Sequence, residues 1–291
     1  MIIVDLNQVM ISNIMALYGK HISKTPIELE LFRSITLNTI RSLYKKFHQQ
    51  YGEMVVATDG KHSWRKSVFP QYKANRKKNR NNSDIDWQLI FTNLNIVREE
   101  IKEYFPYRVI HIDSAEADDV IGTIVQEFSS NPGVEIINIL ILSGDKDFIQ
   151  LQRYNSGVHV EQYDPVNKKF IKSENPESYV KEHILKGDLG DGIPNFLSPD
   201  NSFVDGIRQK PVSKKKLDLW TSQQPEEFCN EEMLRNYKRN QTLIDLSMIP
   251  LDLRKKIMDE YHAESGKDKS KLFNYMIKNK LKMLMENIND F

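Results

Sequence analysis

The 291-residue chain has a single cysteine, Cys229. That excludes an intrachain disulfide and any zinc site built from several cysteines, and it suits a reducing compartment. Long apolar runs are missing too: Ile136-Ile137 and Ile139 to Leu142 fall far short of the ~20 residues a membrane span needs. Asp5 interrupts the first apolar run before the h-region of a signal peptide could form, so the chain is expected to stay in the cytoplasm that made it. There is no internal repeat and no Walker loop, and Asp5-Leu6-Asn7 lacks the Asp-x-Asp nucleophile of one large phosphatase class. His21, His48, His62, His111, His159, His183 and His262 show no ligand spacing and are expected to carry no chemistry. Charge of one sign is not in excess either, since Lys+Arg 41 against Asp+Glu 40 leaves +1.

What is present is a globular composition, 40% hydrophobic and 28% charged, with mean hydropathy −0.54. The length predicts about two domains. Short apolar runs at Ile2 to Val4, Met54 to Ala57, Val109 to Ile112 and Ile136 to Leu142 read as buried strands. Helical spacing joins Ile27, Leu31, Ile35, Ile40, Leu43 and Phe47, then Ile90, Leu94, Val97 and Ile101, and a third helix is expected over Asp113 to Phe128. Strands alternating with helices predict an α/β fold with a mostly parallel central sheet flanked by helices. After about residue 180 the strand signal fades, and Gly, Pro, Asn, Asp and Ser dominate from Gly187 to Asp205. The expected division is a catalytic α/β domain over residues 1–183 and a smaller helical domain over 184–291. Leu272, Phe273, Met276, Ile277, Leu281, Leu284, Met285 and Ile288 read as the packing face of a terminal helix.

Ligands of an open parallel sheet gather beyond the carboxyl ends of its strands. Here those ends carry acids: Asp5, Asp59, Asp113 leading to Glu116, Asp118 and Asp119, then Asp145 and Asp147, with Asp188 and Asp191 further on. One Asp alone is an ordinary cap or turn residue, and Asp113 with Glu116 has the spacing of a capping box. Gathered together, so many carboxylates repel unless cations neutralise them, and all-oxygen ligation suits Mg²⁺ or Mn²⁺. On the third helix, Glu116 and Asp118 flank the apolar stripe and Asp119 is expected to face solvent.

Residues 61–80 carry Lys61, Arg65, Lys66, Lys73, Arg76, Lys77, Lys78 and Arg80 with no acid among them. Trp64, Phe69 and Tyr72 interleave these cations, a mixture suited to gripping phosphates and stacking unpaired bases. Arg208, Lys210, Lys214, Lys215 and Lys216 form a second basic group fit for a duplex backbone. Acids that hold metal beside cations that hold phosphate point to phosphodiester hydrolysis by two metal ions. The competing readings are a non-catalytic module that binds branched DNA and a phosphohydrolase of small substrates.

Taken in order, IIVDLN (2–7), TDG (58–60), EADD (116–119), SGDKDF (143–148) and GDLGDG (187–192) resemble the acidic motifs of the 5′-nuclease, or flap-endonuclease, superfamily. The stretch from Ser63 to Arg80 resembles the family's helical arch or clamp, expected over about 60–85. The similarity is greatest to the RNase H enzymes of T-even-like bacteriophages and runs to the closing ENINDF (286–291). The resemblance implies a 5′-to-3′ exonuclease and flap endonuclease that acts on RNA–DNA hybrid and flap or fork DNA and removes RNA primers during phage replication in the infected host. It implies two Mg²⁺ ions, with Mn²⁺ as a substitute, and replication partners such as a single-strand-binding protein and a sliding clamp. By the same resemblance Asp5, Asp59, Glu116, Asp118 and Asp145 serve the first ion. Asp147, Asp188 and Asp191 serve the second, with Asp119 an outer ligand. Lys73 and Arg76 contact the reacting phosphate, assisted by Arg65 and Lys66. Two departures stand out: Gly192 where the family usually has Asn, and no recognisable glycine-rich helix-three-turn-helix hairpin in Ile193 to Lys216, which implies altered duplex binding.

Overall fold

The computed structural model describes residues 1–18, 27–130, 137–155 and 157–291, without the side chains of residues 77–79 and 81. His21, Ile136 and the side chains of Lys77 and Lys78 therefore lie outside the described residues. Six strands, β1 (Ile2–Asp5), β2 (Met54–Ala57), β3 (Arg108–Ile110), β4 (Asn138–Leu142), β5 (His159–Asp164) and β6 (Lys169–Ile171), form one sheet in the order β3-β2-β1-β4-β5-β6. All neighbours pair parallel except β6, which is antiparallel to β5. The helices in chain order are α1 (Leu6–Tyr18), α2 (Leu29–Tyr51), α3 (Arg65–Val68), α4 (Ala74–Asn81), α5 (Trp87–Tyr104), α6 (Ala117–Ser130), α7 (Pro176–Lys186), α8 (Lys214–Thr221), α9 (Pro225–Phe228), α10 (Glu231–Ile244), α11 (Leu251–Ala263), α12 (Leu272–Lys278) and α13 (Lys282–Met285).

Strands β1 to β4 are largely buried on both faces and read as apolar runs, whereas β6 at the sheet edge is mostly exposed. Ile2, Val4, Met54, Val56, Leu140 and Leu142 face a core shared with α1, α2 and α5. The residues between them, Ile3, Val55, Ala57, Ile139 and Ile141, face the opposite core with Val120, Ile121 and Ile124 of α6. This is the two-residue alternation of the pleat. A third core joins Phe69 and Tyr72 to Val180 and Ile184 of α7, Leu217 of α8 and Tyr237 of α10. The C-terminal half also returns to the sheet layers. Leu253, Ile257 and Tyr261 of α11 pack in the α6 core, and Leu272, Met276, Leu284 and Phe291 pack in the α2 core.

Several expectations are corrected. Helix α1 follows β1 with no intervening turn, and β5 and β6 were not anticipated. Helix α6 starts at Ala117, not Asp113, and the Asp113–Glu116 capping box does not form. Asp113 instead lies at the surface, 3.1 Å from His62, and the first amide of α6, Ala117 N, donates to Asp59 Oδ1 at 2.9 Å. The terminal segment is two short helices broken at Lys280, whose φ is +54°, and Phe273 and Ile277 are exposed. Among the described residues no helix is long and apolar enough to cross a membrane.

Candidate active site

The chain runs from β1 outward through β2 to β3, then returns to the other side of β1 with β4. Crevices form at such a reversal, beyond the carboxyl ends of the strands. A cavity of about 400 Å³ lies there, lined by Asp5, Asp59, Asp118, Asp145, Asp147, Asp188 and Asp191 together with Lys73, Arg76 and Arg80. Asp5 ends β1, is 4% exposed, and accepts from Gln8 N at 3.1 Å and from Ser143 Oγ at 3.3 Å. Burial and then the charge of Asp59 push its carboxyl up to about 8. Asp118, in the first turn of α6, is held well above the carboxylate range by burial and by Asp145. Asp145 Oδ1 caps the turn after β4 by accepting from Asp147 N at 3.0 Å, while burial and Asp145 push Asp147 up to about 7.

Asp188 and Asp191 come from the turn after α7. Gly187 turns the chain with φ +67°, and a Cβ there would lie 2.3 Å from Ile193 O. Asp188 and Ile193 then pair backbone to backbone, and Asp188 Oδ1 accepts from Asp191 N at 2.9 Å. Gly192 also has positive φ, +71°, a conformation that Asn too can adopt, so the departure from the family pattern keeps the turn.

The basic segment divides sharply. Lys73, with φ +58°, points Nζ at Glu116 and lies 3.6 Å from Asp191, and Arg76 pairs with Asp191 Oδ1. Burial opposes charge on Glu116, but Lys73 and Arg65 outweigh it and hold the carboxyl at about 2. Glu116 borders a second cavity of about 920 Å³ that adjoins the first. Its oxygens are taken by Lys73, Ser63 Oγ at 3.0 Å, Arg65 Nη1 at 3.1 Å and Tyr72 OH at 2.9 Å. Lys61, Lys66, Arg80 and Arg98 line this second cavity beside Trp87 and Phe91, and the Arg80 guanidinium lies 4.8 Å from the centre of the Phe91 ring.

Burial corrects the placement expected for Arg65, Asp119, Phe69 and Tyr72. Arg65 is 2% exposed, bonded to Glu116, to Asp119 at 2.8 Å and to Leu243 O at 2.8 Å, so it braces the fold and does not reach a phosphate. Asp119 is fully buried against Arg65 and the Trp64 indole N–H, not solvent-directed, because the β2 loop folds back over the first turn of α6. Phe69 and Tyr72, each 2% exposed, belong to the third core and are not free to stack on bases, and Trp64 packs against the α6 core. Arg208, Lys210, Lys214, Lys215 and Lys216 are exposed and line neither cavity.

The sequence reading missed Asn7, Gln8, Ser12 and Phe91, which line the acidic cavity, and His183. Gln8 binds Gly144 N at 3.1 Å and so ties α1 to the β4 turn, a contact between distant segments that no local signal reports. His183 lies in the last turn of α7, five residues before Asp188, with Nε2 3.2 Å from Asp188 Oδ2 and Nδ1 3.3 Å from Asp147 Oδ1. Burial pulls its imidazole down, but the bond to Asp188 and the charge of Asp147 raise it above the usual histidine range.

The family described as "5'-3' exonuclease, N-terminal resolvase-like domain" matches residues 1–184, and the family described as "T4 RNase H, C terminal" matches residues 174–291. The ribonuclease H of Enterobacteria phage T4 is 32% identical over 99% of this chain and 95% of its own length. Flap endonuclease Xni of Shewanella woodyi is 30% identical over 58% of this chain and 60% of its own. Among solved structures, a bacteriophage T5 flap endonuclease in a pseudo-enzyme-product complex with DNA and metal ions superposes with a TM-score of 0.60 at 18% identity, covering 91% of this chain and 99% of that one. A T5 5′-exonuclease with bound zinc superposes with a TM-score of 0.58 at 18% identity over the same shares, and these likenesses concern the fold. Fold and relatives together define a nuclease of the 5′-3′ exonuclease and flap-endonuclease class. Within that class the chain belongs to the T4 RNase H family.

Proposed function

We propose that this chain is a metal-dependent 5′-nuclease that hydrolyses phosphodiesters of RNA–DNA hybrid and of flap or fork DNA, removing RNA primers during phage replication. The observation that carries the reading is the single cavity into which seven aspartates from distant segments converge with Lys73 and Arg76. Its donors are carboxylate oxygens, several of them forced toward the protonated state by burial and then by mutual repulsion, which is the donor chemistry hard divalent cations relieve. Asp5, Asp59, Asp118 and Asp145 would hold one ion, and Asp147, Asp188 and Asp191 would serve the second, chiefly through water, with Mg²⁺ the expected metal and Mn²⁺ a substitute. When bound, the ions would supply water activation and charge neutralisation at the phosphate.

The chain's own groups do the rest. Lys73 and Arg76, which neutralise Glu116 and Asp191, are placed to transfer their charge to a phosphate entering the cavity. Glu116 then acts by positioning Lys73 and Tyr72. Lys66, Lys77, Lys78 and Arg80 would bind the single strand, and Arg208, Lys210, Lys214, Lys215 and Lys216 the duplex backbone. Functionally the chain divides into a catalytic unit, 1–183, and a DNA-binding unit, 184–291, with a single-strand-binding protein and a clamp as partners. Incubation with a 5′-labelled flap or an RNA–DNA hybrid and Mg²⁺ tests this: cleavage that stops with EDTA is expected, and tight binding without cleavage in either metal would make the chain a binding module.

A further inference from the structure

The side of the acidic cavity nearest α7 is not built from carboxylates alone. Asp147, His183 and Asp188 each bring one donor atom to a common space, and those atoms lie within 4.8 Å of one another. His183 is presented by α7, its ring edge-on to Tyr179 one turn earlier with centroids 6.0 Å apart. Its two nitrogens are used differently. Nε2 is hydrogen-bonded to Asp188 Oδ2, and Asp188 is itself fixed by the amide of Asp191. Nδ1 is buried and makes no hydrogen bond, although Asp147 Oδ1 lies 3.3 Å away.

With Nε2 donating to Asp188, the lone pair of Nδ1 and an oxygen of Asp147 converge on one point. That separation matches the roughly 3.0–3.5 Å between neighbouring donors on a metal with ~2.1 Å bonds. A carboxylate on the outer nitrogen of a ligating histidine is the usual way its tautomer and orientation are set.

We propose that His183 is a nitrogen ligand of the second ion, held by Asp188 from behind, and that this biases the subsite toward Mn²⁺ and similar transition ions over Mg²⁺. The inference rests on the two-ion reading above. Imidazole suits the transition ions, whereas Mg²⁺ prefers oxygen and replaces a lost ligand with water at little cost. The competing role for His183 is a plain cation between two acids, which lysine would serve as well.

The test is electron spin-echo envelope modulation of Mn²⁺ bound to the full-length protein, with calorimetric titration of Mn²⁺ and Mg²⁺ into wild type, His183→Lys and His183→Asn. The expected result is nitrogen modulation in the wild type that changes on ¹⁵N-histidine labelling. In both variants Mn²⁺ affinity should fall about tenfold while Mg²⁺ affinity moves little. Normal Mn²⁺ binding without nitrogen modulation, or His183→Lys binding Mn²⁺ as wild type does, would overturn the role of His183 and leave the two-ion reading standing. If neither ion binds the wild type at all, both readings fall.

Discussion

Arg65 and Lys73 belong to one basic segment yet meet opposite fates. Arg65 is sealed between Glu116 and Asp119, whereas Lys73 stands at the cavity with Glu116 and Asp191 in reach. Arg65→Ala would leave the buried Asp119 carboxylate without its cation and should cost about 3–5 kcal/mol of stability, read by urea unfolding, and a loss below about 1 kcal/mol would show the pair to be dispensable. Lys73→Ala should leave the fold intact and slow single-turnover cleavage on the order of a hundredfold or more. An unchanged rate would make Lys73 a bystander. Asp145→Asn should abolish turnover and preserve substrate binding, and full activity in that variant would remove the residue from the site. At this scale the sequence identified the acids and the basic segment, but not which cation faces inward. That choice depends on Asp119 and Leu243, far along the chain, and no spacing within residues 61–80 encodes it.

Elements set where these residues stand. Asp59 accepts the first amide of α6, so the carboxyl end of β2 and the helix bearing Asp118 are joined by one hydrogen bond, and Gly60 lets the loop pass close to Ile112 O and Asp113 O. The turn at Gly187 does the same for Asp188. Gly187→Ala would force a Cβ onto the Ile193 and Pro194 backbone at a positive φ, so it should lower Tm by several degrees and weaken divalent-ion binding together. Calorimetry showing wild-type metal affinity in that variant would contradict the argument. β1, β2, β3 and β4 were legible because strands buried on both faces are apolar throughout. β5 was not, since its His159, Glu161 and Gln162 interrupt the run, and α1 was hidden because Leu6 continues β1 into a helix without a breaking residue.

For the whole molecule, the gathered acids link stability to pH and metal. The folded state raises Asp5 to about 8, Asp147 to about 7 and Asp118 as well. A raised carboxyl stabilises the fold fully below its unfolded value near 4, and that stability is lost as pH rises through the folded value. His183, also raised, acts in the same direction. The metal-free protein should therefore lose Tm between about pH 5 and pH 8, and Mg²⁺ should raise Tm more at the upper end of that range. Equal Tm gains at both ends would count against a shared acidic ion site. The parallel sheet was legible from the alternation of elements. The return of the C-terminal helices to both faces of the sheet was not, because Leu253, Ile257 and Phe291 carry no mark of which core receives them.

The most direct measurement is a time course on a 5′-labelled flap substrate during titration with Mg²⁺, repeated with EDTA and with Asp145→Asn. The account predicts cleavage that rises with metal, vanishes on chelation and is missing in the variant while the substrate stays bound. Hydrolysis that persists in EDTA, or in Asp145→Asn, would contradict it.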